Sequence, residues 1–254
     1  MLNRWTWILF IVTFLGALLV TAPATLLGIV LGDVSQNRLE LANTQGSIWR
    51  GSANPVIRQR SGKLITLDKL HWEMIFMPLL SGKLNIQLNW DHAAQIAPME
   101  ISATPAQLEI HNALIPLPAL LLDEVSDFLK PAQLRGDVIL KSDSLVITPQ
   151  AVLGNASADW INASSLLSTI APLGNYHLAF SSTASGVDIV LSTSSGALIL
   201  GGQGRLTATN GLDFKGTAQA SKGNEDALRD LLGHLGPELT PGVSTFNLVP
   251  SRSR

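Results

Sequence analysis

The sequence predicts a mainly β protein: an N-terminal transmembrane helix, then an antiparallel β-sheet domain beyond the membrane, with one or two short helices. Three observations predict it. The run from Trp5 to Gly32, 28 residues, contains no charged side chain. After Asp33 the chain turns to short alternating runs of Val, Ile, Leu and Thr, broken by Gly, Asn, Ser and Asp, the pattern of half-buried strands joined by turns. Of 254 residues, 46% are hydrophobic and 14% charged, against ~25% charged in an average soluble domain. That composition excludes long-range disorder, which needs high charge and few apolar residues.

The apolar run would extend roughly 42 Å as a helix at ~1.5 Å per residue, more than the ~20 residues a bilayer core requires. Trp5 and Trp7 stand where an interfacial aromatic belt would lie. Arg4 and the α-amino group precede the run and Asp33 follows it. The positive-inside rule then makes residues 1–4 a cytoplasmic stub, residues 5–31 the anchor, and residues 32–254 a domain on the far side. Ala22-Pro23-Ala24 resembles a signal-peptidase site. The chain stays apolar beyond it through Leu26, Leu27, Ile29, Val30 and Leu31, which favours a retained anchor. Pro23 lacks an N–H and is expected to kink the helix or mark its exit.

The clearest hairpin runs from Gly204 to Ala220. Arg205, Thr207 and Thr209 alternate with Leu206 and Ala208, Asn210-Gly211 supplies a two-residue turn, and Leu212, Phe214, Gly216 and Ala218 return. A second hairpin is expected around Ser142-Asp143, between strands at 138–141 and 145–148. Strands at 176–181, 187–192 and 197–200 are expected to meander, with Ser/Thr/Gly turns between them.

Helices are few. Asn224 reads as an N-cap, with Glu225 and Asp226 in the first turn, Leu228, Leu231, Leu232 and Leu235 on one face, and Gly236-Pro237 as the stop. A second helix is expected from Pro118 to Phe128, with a stripe of Leu121, Leu122, Val125, Phe128 and Leu129. A weak internal echo links Trp72, Pro78-Leu79 and Gly82 to Trp160, Pro172-Leu173 and Gly174. It suggests two similar β layers in tandem, about 40–130 and 131–254.

Composition and motifs exclude most chemistries. Without Cys there are no thiolate metal sites, Fe–S clusters, thiol nucleophiles or disulfides. A net charge of −2 and a pI near 6.2 argue against nucleic acid as a partner. His71, His92, His111, His177 and His234 form no metal-binding spacing. Gly201-Gly202-Gln203-Gly204 lacks the Lys-Ser/Thr of a phosphate loop and is expected to be a turn or bulge. The sequence therefore points to an anchored scaffold or binding domain, not an enzyme, with no cofactor and no metal.

One motif stands out beyond the anchor: Gly46-Ser47-Ile48-Trp49-Arg50-Gly51-Ser52-Ala53. Leu70-His71-Trp72 leads to Leu79-Leu80-Ser81-Gly82-Lys83-Leu84, and Pro172-Leu173-Gly174-Asn175-Tyr176 leads through Gly202-Gln203-Gly204 to Phe214-Lys215-Gly216. With the N-terminal anchor, this layout resembles the type II secretion system protein N family across nearly the whole chain. The resemblance implies an accessory component in the bacterial inner membrane. Its main domain would be periplasmic, in contact with other secretion-system subunits, and would support export of folded proteins across the outer membrane. It carries over no catalytic residues. The Trp-to-Gly strand pattern is also similar to AsmA-like envelope proteins, which would imply lipid handling in an apolar β groove. The residues singled out for a structural or docking role are Gly46, Ser47, Ile48, Trp49 and Gly51. Trp49 is expected to be buried on the sheet.

Overall fold

The computed structural model describes residues 4–91, 97–124, 130–207, 209, 211–240 and 242–248. It divides into two compact units, Met1–Pro105 and Ala106–Arg254, both mainly antiparallel β.

The first unit begins with helices α1 (Arg4–Val20) and α2 (Thr25–Val34). The strands follow: β1 (Leu39–Gly46), β2 (Arg50–Arg58), β3 (Leu64–Thr66), β4 (Leu70–Ile75), β5 (Leu84–Trp90) and β6 (Met99–Ala103). They lie in the order β1-β2-β4-β5-β6, with β3 also on β2. The single helix expected over residues 5–31 is therefore two helices. Pro23 has no N–H to continue the ladder, and its backbone instead bridges to Ser47. The Ala24 amide donates to Gly46 O at 3.1 Å and the Ile48 amide to Ala22 O at 3.0 Å. α2 then lies against the sheet, where Leu27 joins Ala24, Ala53, Trp72 and Leu41 in one core. Among the described residues, no helix is long and apolar enough to cross a membrane.

The second unit is a meander: β7 (Leu108–Pro118), β8 (Arg135–Ile147), β9 (Val152–Ser164), β10 (Gly174–Thr183), β11 (Gly186–Gly196), β12 (Leu198–Thr207) and β13 (Gly211–Ala220). Each pairs with its sequence neighbour. α3 (Glu225–Leu235) follows, then β14 (Glu238–Thr240) and β15 (Val243–Leu248), with β15 between β13 and β14. The β12–β13 hairpin forms, but not in the expected register: Thr207 faces Gly211 and Leu206 faces Leu212, so Gly211 opens β13 instead of closing a two-residue turn with Thr209 opposite Leu212. Its residues Ala208 and Asn210 lie outside the described ones. α3 forms where expected and buries Leu228, Leu231 and Leu232. The Asn224 side chain makes no cap; it donates to Ser221 Oγ at 2.9 Å instead.

Three further expectations fail. Ser142-Asp143 is not a turn: β8 runs through it, and the register against β9 slips there as a bulge. A two-residue hairpin needs φ > 0 at its centre, and neither residue adopts it. Gly201–Gly204 is strand interior, not a turn. A side chain on Gly202 or Gly204 would collide with the Phe214 ring, and one on Gly216 with the Phe246 ring. The helix expected over 118–128 is a short 3-10 helix, Ala119–Glu124. Val125, Phe128 and Leu129 lie outside the described residues.

Candidate functional site

The Gly46–Ala53 motif builds the junction between the helices and the sheet. Ser47 Oγ accepts the amides of Trp49 (3.3 Å) and Arg50 (3.2 Å), closing a tight turn from β1 to β2. Gly46 enters that turn at φ 89°, in the left-handed region that favours glycine. Trp72, on β4, donates its indole N–H to the carbonyls of Ser47 and Ile48, 3.2 Å to each. Its ring lies over Gly51. The same turn holds residues 22–24 through the Gly46, Ser47 and Ile48 backbone. Gly46, Ser47, Ile48 and Gly51 thus fasten the exit of α1 to the sheet.

Trp49 is placed differently from its expectation. It is half-buried, whereas Trp72 is the buried indole at 5% exposure. Trp49 packs edge-to-face on Phe76, ring centroids 5.3 Å apart. Phe76 leads into a 3-10 turn, Met77–Ser81, whose Met77 and Leu80 are 72% and 74% exposed. An exposed apolar cluster therefore stands beside the end of α1.

The second unit holds an apolar cavity of about 370 Å³ on one sheet face, flanked by α3. The pairing explains it. Leu140, Ala158, Leu178, Leu191, Gly202 and Gly216 stand in register from β8 to β13, so one row of one face carries leucines with small residues at positions 158, 202 and 216. The Phe214 and Phe246 rings lie flat over the glycines, stacked with centroids 6.1 Å apart. Sequence reasoning gave an apolar β groove only as what the similarity to AsmA-like proteins would imply, and assigned none of the lining residues to it. Its signal was present as apolar residues two apart on successive strands, but that spacing marks an apolar face without saying whether side chains fill it.

The β8–β10 surface also carries a charged cluster. Asp159 accepts hydrogen bonds from His177 Nδ1 at 2.6 Å and Lys141 Nζ at 2.8 Å. The His177 bond, then the Lys141 bond, hold its carboxyl below the usual carboxylate range. His71 Nε2 meets Asp91 Oδ1 at 2.5 Å, on the exposed side of β4. His92 lies outside the described residues. Among the described residues, no three His, Asp or Glu side chains converge as a metal site.

Fold and site define an antiparallel β protein whose distinctive residues serve packing and fastening. The family model for type II secretion system (T2SS) protein N matches residues 37–247. A type II secretion system protein N of Klebsiella pneumoniae is 27% identical over 223 residues, covering 81% of this chain and 79% of that relative. No solved structure matches the chain. The chain belongs to the type II secretion system protein N family.

Proposed function

We propose that this protein is an inner-membrane-anchored accessory component of the type II secretion system, supporting export of folded proteins through protein–protein contacts. The family match over residues 37–247 carries this reading. Its other partners would be secretion subunits of the inner membrane and periplasm, and its role is that of a component, not an enzyme. Anchoring is supported by α1. This helix is apolar around its circumference yet exposes Trp5, Trp7, Phe10 and Phe14, a combination that suits lipid better than water. Arg4 and the uncharged run after it favour an N-terminus in the cytoplasm.

In this reading the Gly46–Gly51 turn transmits the position of the anchor to the sheet. Trp49, Phe76, Met77 and Leu80 face the membrane surface beside it. Deleting the chain should leave folded exoproteins in the periplasm while their export across the inner membrane continues, and re-expression should restore secretion. Unchanged secretion in the deletion strain would overturn the reading. A periplasm-active reporter fused after Arg254 should be active, and an inactive one would overturn the orientation.

A further inference from the structure

We infer that the cavity of the second unit holds a hydrocarbon chain of an envelope lipid, with the polar end left outside. The cavity, about 370 Å³, falls within the range of small-molecule sites. Its walls are almost wholly aliphatic and aromatic, and their few polar atoms are engaged. Tyr176, 1% exposed, donates its hydroxyl to Leu198 O at 3.0 Å. Ser165 Oγ donates to Ala132 O at 2.7 Å and Trp160 Nε1 to Arg135 O at 3.1 Å. The remaining polar side chain of the lining is His234, from the last turn of α3.

This polarity selects the occupant. An inserted peptide segment would bring backbone N–H and C=O groups, one pair per residue. The sheet amides and carbonyls of the lining strands are already spent in the ladder. The peptide's groups would then be buried without partners, at a cost of roughly 1–3 kcal/mol each. A sugar or phosphate group meets the same objection more severely. An acyl chain has no hydrogen-bonding group to satisfy and gains from leaving water. The ligand requires neither the anchor nor the secretion role proposed above.

The test uses the full chain in intact cells. A diazirine-bearing aliphatic amino acid is placed at Leu200, which lines the cavity, or at Ile199, which is exposed and one residue away on the strand. After irradiation, mass spectrometry should find a lipid adduct at position 200 and none at 199, with the adduct mass separating phospholipid from free fatty acid. Ala158→Phe, and independently Leu191→Trp, should abolish the adduct at unchanged protein level by filling the cavity. Equal lipid labelling at both positions, a polypeptide adduct at 200, or no adduct at 200 would each overturn the inference. A folded filling variant that keeps the adduct would also overturn it.

Discussion

Gly51 lies so close to Trp72 that a β-carbon on it would sit 2.5 Å from the indole ring. The two residues face each other across β2 and β4, so the bare backbone of one is the seat of the other. Gly51→Ala should therefore force the ring off its two carbonyl partners. Overpacking of this kind typically costs about 1–3 kcal/mol. The expected result is a lower urea midpoint with an altered tryptophan emission; an unchanged midpoint would show that the ring shifts freely.

The two tryptophans of this region should separate stability from function. Trp72→Ala removes a buried side chain and should cost about 3–5 kcal/mol, with loss of protein in cells. Trp49→Ala removes a half-exposed ring and should stay near the ~0.5–1.5 kcal/mol of an aromatic pair. If Trp49 docks at the membrane surface, its variant should be present at normal level and secrete poorly. Normal secretion would leave Trp49 with a packing role alone.

Acid should weaken the second unit through Asp159. Its carboxyl is held below the ordinary range by His177 and Lys141. The stabilisation is therefore complete above the unfolded value of about 3.9 and is lost as pH falls through the lower folded value. Asp159→Asn should flatten this acid limb. Urea midpoints of both proteins from about pH 6 downward check it; parallel acid limbs would show that other carboxylates dominate.

The two N-terminal helices should differ in how far they can be replaced. Exchanging residues 5–20 for an unrelated apolar span of the same orientation should preserve secretion and protein level. Exchanging residues 25–34 should destabilise the first unit, because Leu27 shares a core with Trp72, Ala53 and Leu41. Immunoblots and secretion assays distinguish the outcomes. Loss of secretion at normal protein level in the first exchange would make α1 a contact surface for other subunits.

Much of the fold is legible in the sequence, for definite reasons. Between Tyr176 and Ser192 the alternation of apolar and polar residues is regular and the turn signals are strong, so those two strands emerge in place. α3 carries an acidic first turn, an apolar stripe and a Gly-Pro stop that agree. Ser142-Asp143 and Gly201–Gly204 mislead because turn-forming residues also serve bulges and make room for rings. What they do depends on partners in other strands: Asn155 and Ser157 for the bulge, Phe214 for the glycines. The same dependence hides the exchange of roles between Trp49 and Trp72. The motif draws attention to Trp49, while the indole that holds it together lies more than twenty residues further on.

The pairing of β7 through β13, each with its neighbour in sequence, has a consequence for how the second unit is made. From β10 to β13 the connections are short, so these strands meet after little chain has been ordered and the entropy of loop closure is small at each of those steps. Folding can then nucleate at a hairpin such as β12–β13 and propagate outward, as in a one-dimensional array. Loss of structure should begin at the opposite extremes. β14, three exposed residues pairing only with β15, should exchange its amide hydrogens early, while the amides of β10 and β11, each flanked by a strand on both sides, should exchange last.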